Sequence, residues 1–281
     1  MAYSQKSKDH TFSSNTASKS KFSYWLSKLI IPIILIAIWL IITQLRLIRP
    51  IFIPGPQDLW KAFAGMYKIL PKAILTTLTI TLSGFAIGVA FGTISGLSMA
   101  YSKGIRDLLG TIFDFSRPVP VFALIPLFIL WFGIGRAPQI ALIALGTSVV
   151  LGVTTLEAIR NVPTIYIRAA LTLGAGRQHI YSTIIVPYII PHLIGAIRVA
   201  AAASWGLDVA AEFMGSQQGL GYLIILQQTY LRTAGIIFLV IIYSILAVIT
   251  DTIIAQIERR ITRWTERRTS IGVVASIVGS A

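Results

Sequence analysis

Six long apolar runs divide the chain, at about residues 24–45, 73–100, 115–132, 138–158, 188–214 and 235–256, and the polar residues fall mainly between them. A helix needs roughly 20 mostly apolar residues to cross a bilayer. The pattern therefore predicts an all-α polytopic membrane protein with six transmembrane helices, spread over a domain at 24–268. Residues 1–23, rich in Ser, Lys and Thr, have no apolar face and are expected to be a disordered tail. Residues 269–281 form a C-terminal tail with no assignment.

Between spans one and two, Pro50, Pro54, Pro56 and Pro71 frame IFIPGPQDLWKAF, which reads as an irregular start followed by a short helix with Trp60 as an interfacial anchor. Span two carries Gly84, Gly88, Gly92 and Gly96 at strict four-residue spacing. Glycines at that interval form a flat stripe on one helix face against which a second helix can pack backbone to backbone. A short link, YSKGIRD, leads to span three, where Pro118, Pro120 and Pro126 remove backbone donors and predict a bent helix inside the protein. Spans four and five enclose a polar interval, Arg168 to Pro187, that reads as a short helix, a loop and a helix re-entry. SQQGLGYLI is read as an outer loop before span six, and the basic IERRITRWTERR follows that span, with Trp264 expected at the membrane interface.

Charge orients this pattern. Of 24 Lys and Arg, five lie at the N-terminal end, two in the 101–107 link, three around the polar interval and five at the C-terminus, against seven in the alternate segments. The positive-inside rule then places both termini, and the polar interval with them, in the cytoplasm. The formal net charge of +14 would suggest nucleic acid in a soluble chain, but 55% hydrophobic residues, 12% charged residues and no basic face with interleaved aromatics exclude that partner. Membrane lipid is the expected surround.

No cysteine is present and the three histidines, His10, His179 and His192, are scattered, so neither a disulfide nor a His-based metal site is expected. There is no Gly-Lys pair, hence no phosphate-binding loop, and no catalytic triad spacing. Charges inside a bilayer are costly and usually face a partner or a water-filled path. Arg117, Arg198, Asp208 and Glu212 are accordingly candidates for a translocation path, with Glu157 weighed beside them. Asp208 and Glu212 stand one helical turn apart on one face, and a cap or packing contact to SQQGLGYLI is the competing reading of Glu212. Arg198, ten residues before Asp208 and so about 15 Å away along a helix, needs a partner on another span or an anion.

The polar interval resembles the signature of ATP-binding-cassette importer permeases, the binding-protein-dependent transport system inner membrane component family. Ala169, Ala170, Gly174, Ile184 and Pro187 fall at the pattern's offsets, while Val186 stands for Leu and Arg168 for Glu. LIPLFILWFGIG, IRNVPTIYIRAALTLGA, QGLGYLI and IERRITRW are similar to the branch importing taurine, aliphatic sulfonates, nitrate and bicarbonate, the closing segments most to the taurine and sulfonate members. The resemblance implies a non-catalytic subunit in the bacterial inner membrane. It would pair with a second copy, with ATPase subunits that use ATP and Mg, and with a periplasmic or lipid-anchored solute-binding protein. This chain itself would bind no cofactor. A coupling helix between spans four and five would dock the ATPase through Arg168, Ala169, Ala170, Gly174, Ala175 and Arg177. With Glu replaced by Arg168, shape at the two alanines and the glycine is expected to matter more than that charge. Alternatives are an ion-coupled secondary carrier, for which broken helices in both halves would be expected, and a non-transporting membrane scaffold.

Overall fold

A computed structural model of the chain describes residues 17–261. Every regular element among them is helical: α1 (Ala17–Gln44), α2 (Pro56–Met66), α3 (Leu70–Tyr101), α4 (Lys103–Ser116), a 3-10 turn (Val121–Leu124), α5 (Ile125–Phe132), α6 (Arg136–Arg160), α7 (Thr164–Thr172), α8 (Arg177–Ile180), a π-helical turn (Tyr181–Ile185), α9 (Val186–Gly215), α10 (Leu220–Thr229) and α11 (Thr233–Ile261). Four are long and apolar enough to cross a membrane: α3, α6, the continuous rod Arg177–Gly215, and α11. The bent pair Lys103–Ser116 and Val121–Phe132 makes a fifth if counted as one span. The sequence predicts six. The difference lies in α1, whose described apolar part, Ile30–Gln44, is shorter than a span.

Helix α3 packs along α6 more extensively than any other pair, and α6 packs on α9. The glycine stripe is the reason. A Cβ built on Gly84 would lie 2.7 Å from Ile143 Cβ, on Gly88 2.5 Å from Thr147 Cβ, and on Gly92 2.7 Å from Leu151 Cβ, with Thr155 facing Gly96. Two rows at four-residue spacing thus run side by side in parallel, and only residues without a side chain let the backbones approach this closely. At one end of the bundle α2, α10 and α11 close around Met66, Trp205, Leu220, Leu239 and Tyr243. Near its other end Leu151, Ala158, Leu193 and Ala196 pack α6 on α9.

Three expectations change. Span three is not a bent helix over 115–132, because the YSKGIRD link is itself helical from Lys103 and the chain turns by 93° between α4 and Val121. Pro118 and Pro120 cannot donate backbone bonds, so Arg117–Pro120 leaves the helix and Ala123 N–H bonds back to Pro120 O at 2.8 Å. The SQQGLGYLI loop is in large part helix α10, entered through Gly219 at φ 112° and held by buried Leu220, Leu223 and Ile224. Helix α1 starts at Ala17 and so takes in the end of the 1–23 tail, since no Pro or Gly interrupts residues 17–31. Residues 1–16, Trp264 and the 269–281 tail lie outside the described residues. Elsewhere the predicted spans match helices within a few residues: Trp60 is exposed on α2, and Pro187 and Pro191 are carried within the rod. The π-helical turn, where Val186 N–H reaches Tyr181 O, widens the helix directly before Pro187.

Candidate functional site: a projecting helix and three charged networks

Helix α7 leaves the end of α6 through Asn161–Pro163 and has no buried residue. Ile165, Tyr166, Leu171 and Leu173 are all exposed, the last at 87%. Arg168 and Ala169 are exposed and Ala170 half-buried. The helix stops in a Schellman-type turn, with Ala175 N–H bonded to Ala170 O at 3.0 Å and Gly174 N–H to Leu171 O at 2.9 Å. Gly174 stands at φ 78°, a conformation that a side chain would strain. Arg177 then opens the rod. Its guanidinium donates to Tyr101 O at the end of α3 and covers the Tyr101 ring at 5.2 Å. Five of the six residues assigned to coupling are thus on or beside an apolar projection, while Arg177 grips α3.

The four candidate path residues fall into three separate networks. Asp208 and Glu212, 0% and 1% exposed, share the Tyr243 hydroxyl, which lies 2.7 Å from Asp208 Oδ2 and 3.2 Å from Glu212 Oε2. Thr77 Oγ1 donates to Glu212 Oε1 at 2.8 Å and itself accepts from Leu220 N–H at 2.9 Å. Gly221 N–H donates to Glu212 Oε2. The first two amides of α10 are therefore satisfied by Thr77 and Glu212, a carboxylate cap at the positive end of a helix. Sealed from solvent, Asp208 and Glu212 join α3, α9, α10 and α11 in this arrangement. The competing reading of Glu212, a cap for the following segment, is what the geometry shows.

Arg198 is gripped in bidentate fashion by Asp251, with Nε–Oδ1 3.0 Å and Nη2–Oδ2 2.9 Å, and its Nη1 lies 3.5 Å from Glu258 Oε2. Arg117, in the break after α4, pairs with Glu157 at 2.9 Å. Both arginines thus meet carboxylates of other helices. Removing Arg198 leaves Asp251 without its bidentate partner in an apolar span, and removing Asp251 leaves Arg198 with only the longer contact to Glu258, whereas removing both takes out the two charges that are most closely paired. The Arg198→Met/Asp251→Leu double variant should therefore melt higher in detergent than either single variant. A double variant no more stable than the singles would contradict that coupling. The partners Tyr243, Thr77, Asp251, Tyr181 and Tyr101 were not singled out from the sequence. Asp251 was visible as a charge in span six, and Thr77 and Thr81 as a hydroxyl pair at four-residue spacing.

Comparison with known proteins places this geometry. The chain is 30% identical to the taurine transport system permease protein TauC of Escherichia coli (strain K12), over 82% of this chain and 86% of that one. It is also 30% identical to the Bacillus subtilis (strain 168) protein assigned as the aliphatic sulfonates transport permease SsuC, over 85% and 88%. Among solved structures, the inward-facing MetNI methionine ABC transporter superposes with TM-score 0.58 at 20% identity, covering 72% of this chain and 99% of that chain. A bacterial alginate ABC transporter in complex with an alginate pentasaccharide-bound periplasmic protein superposes with TM-score 0.56 at 17% identity, over 88% and 98%. The sequence model of the binding-protein-dependent transport system inner membrane component matches residues 88–263, a stretch that runs from the glycine seam through the projecting α7 to the end of α11. The chain belongs to that family, and is an inner membrane permease subunit of an ABC importer.

Proposed function

We propose that the permease carries a small solute bearing an anionic sulfonate group, taurine or another aliphatic sulfonate, through a path built by two copies of this chain. A separate ATPase subunit, holding the ATP and Mg, seats on α7. A periplasmic or lipid-anchored solute-binding protein delivers the anion at the opposite end. The chain crosses the membrane six times with both termini cytoplasmic; α1 counts as a span because its residues from Ile30 to Ile41 are apolar and, apart from half-buried Trp39, exposed. The single observation that carries this reading is α7, a helix with an apolar exposed surface and no buried residue, standing where the family signature lies. Such a surface, on the end that the basic residues assign to the cytoplasm, calls for a protein cover.

The anion is supported by charge as well as by the names of the relatives. Arg46, Arg49, Lys61, Lys68, Lys72, Arg136 and Arg232 lie in the outer segments, against Asp58 alone among acids there. A cationic entrance raises the local concentration of an anion and its rate of arrival. Arg117 and Arg198, both paired with carboxylates, contribute less to this than their positions in the sequence suggested.

Docking is tested at the turn of α7. Gly174→Val forces a β-branched residue to φ 78°, and Ala170→Asp adds a charge to the half-buried side of α7. Each should cut co-purification of the ATPase by at least about tenfold, the equivalent of about 1.4 kcal/mol, with the permease still inserted. Full retention of the complex and of uptake in both variants would overturn the docking role. Uptake that survives ATP depletion and collapses with the ion gradient would favour a secondary carrier. Substrate class is tested by competition for uptake among taurine, alkanesulfonates, nitrate and bicarbonate.

A further inference from the structure

The end of α3 is capped in part by two side chains that come from far along the chain. The last four carbonyls of a helix have no partner within it. Here Ser98 O accepts from Ser102 N–H at 3.1 Å, and Arg106, on α4, donates to Met99 O at 2.9 Å and Ala100 O at 3.1 Å. The remaining one, Tyr101 O, is taken by Arg177, 76 residues away. Tyr181 adds a second tie, its hydroxyl donating to Leu97 O at 2.9 Å while its ring meets Tyr101 edge to face at 5.3 Å. Arg177 and Tyr181 are the first and fifth residues of the rod Arg177–Gly215, and only Leu173–Gly176 separates that rod from α7. Two backbone hydrogen bonds close this separating turn, so it is short and tight.

We propose that Arg177 and Tyr181 form the clamp that transmits displacement of α7 to α3. This inference rests on the reading of α7 as the ATPase seat. Helix α3 cannot slide independently of α6, because the Gly84–Gly96 seam brings the two backbones into contact along roughly three turns. A push on α7 therefore reaches the α3–α6 slab by two routes, through the Asn161–Pro163 link to α6 and through the clamp to α3, and the clamp makes the rod move with that slab. Two long-range hydrogen bonds, a cation over a ring and an aromatic pair give the clamp direction, since all four converge on the last turn of one helix. Arg177 and Tyr181 are positioning residues, acting through α3 and not on the solute. The π-helical turn Tyr181–Ile185 begins at the clamp, where the rod is least regular and best able to absorb a change of angle.

The chain has no cysteine, which suits paired spin labels. Ile87, exposed on α3, lies about 20 Å along the helix from Tyr101 at 1.5 Å per residue, and Gln178 is exposed on α8. Ile87→Cys/Gln178→Cys, labelled and measured by electron paramagnetic resonance in the assembled complex, should hold one distance with and without ATP. With Tyr181→Phe and Arg177→Gln added, the same distance should shift or broaden on ATP binding by about 2 Å or more, the scale of helix shifts in such transitions. Arg177→Lys in place of Arg177→Gln should restore part of the rigidity. An ATP-dependent distance in the parent pair, or an unchanged one in the clamp variants, would overturn the clamp. A separate label at Thr172 on α7, read between the two copies, isolates the underlying reading. If that distance ignores ATP, α7 is no lever and the proposed function itself fails.

Discussion

Gly88→Leu is expected to abolish uptake and to destabilise the membrane-embedded fold by about 3 kcal/mol or more, the upper range of overpacking effects. Carbon atoms pack favourably at about 3.5–4.0 Å, yet the first added carbon would meet Thr147 Cβ at 2.5 Å and Ala144 O at 2.7 Å. One of these is backbone and cannot swing aside. Moving α3 outward would relieve the clash only by opening the contacts at Gly84, Gly92 and Gly96 as well, so the strain is not local. In detergent the variant should melt about 6 °C or more below the parent, at roughly 2–4 °C per kcal/mol for a chain of this size. Gly110→Ala is the control: no atom lies within 4 Å of its added carbon, and it sits inside α4, so helix propensity alone should raise stability by up to about 1 kcal/mol. Equal melting of Gly88→Leu and the parent would show that the seam is not close-packed.

Glu212→Ala should cost nearly as much, about 3–4 kcal/mol, through lost hydrogen bonds and not through crowding. It leaves the Gly221 amide without its acceptor and the Thr77 hydroxyl with only the Leu220 amide, and leaves the Tyr243 hydroxyl with Asp208 alone. Each buried group left without a partner costs about 1–3 kcal/mol, and neighbouring losses add incompletely. The expected consequence is that α10 detaches from α3, exposing Leu220 and Leu223, so limited proteolysis should cut near residues 215–221 in the variant before the parent. Tyr243→Phe leaves Glu212 its other donors but takes the donor from Asp208 Oδ2, and should cost about 1–2 kcal/mol. Thr77→Val should fall between, because Thr77 serves both Glu212 and Leu220. A Glu212→Ala protein as stable and protease-resistant as Tyr243→Phe would remove the capping role.

Much of the fold was legible because a bilayer makes hydropathy decisive: unpaired backbone is excluded from it, so long apolar runs must be helices. The runs at 73–100, 138–158, 188–214 and 235–256 each lie on a helix for that reason. The turn at Arg117–Pro120 was legible only as a weakness, since prolines mark where a helix breaks but not the angle at which its halves settle. Helix α10 was hidden because QGLGYLI carries both loop signals and apolar residues, and burial against Leu239 and Tyr243 decides between them.

The glycine stripe, the carboxylate pair one turn apart and the family signature at Ala169, Ala170 and Gly174 are local spacings, and the sequence by itself determined them. It also determined that the chain is a membrane permease with a polar interval, carrying the family signature, between two spans. Which partner each of those features meets was decided only by the tertiary structure: α6 for the glycines, Thr77 and the amides of α10 for Glu212, Asp251 for Arg198, and the end of α3 for Arg177. The physical reason is range. Helical periodicity sets which side chains share a face within a few residues, whereas the partners of Glu212 on α3 and of Arg177 lie 135 and 76 residues away and are selected only when the helices pack.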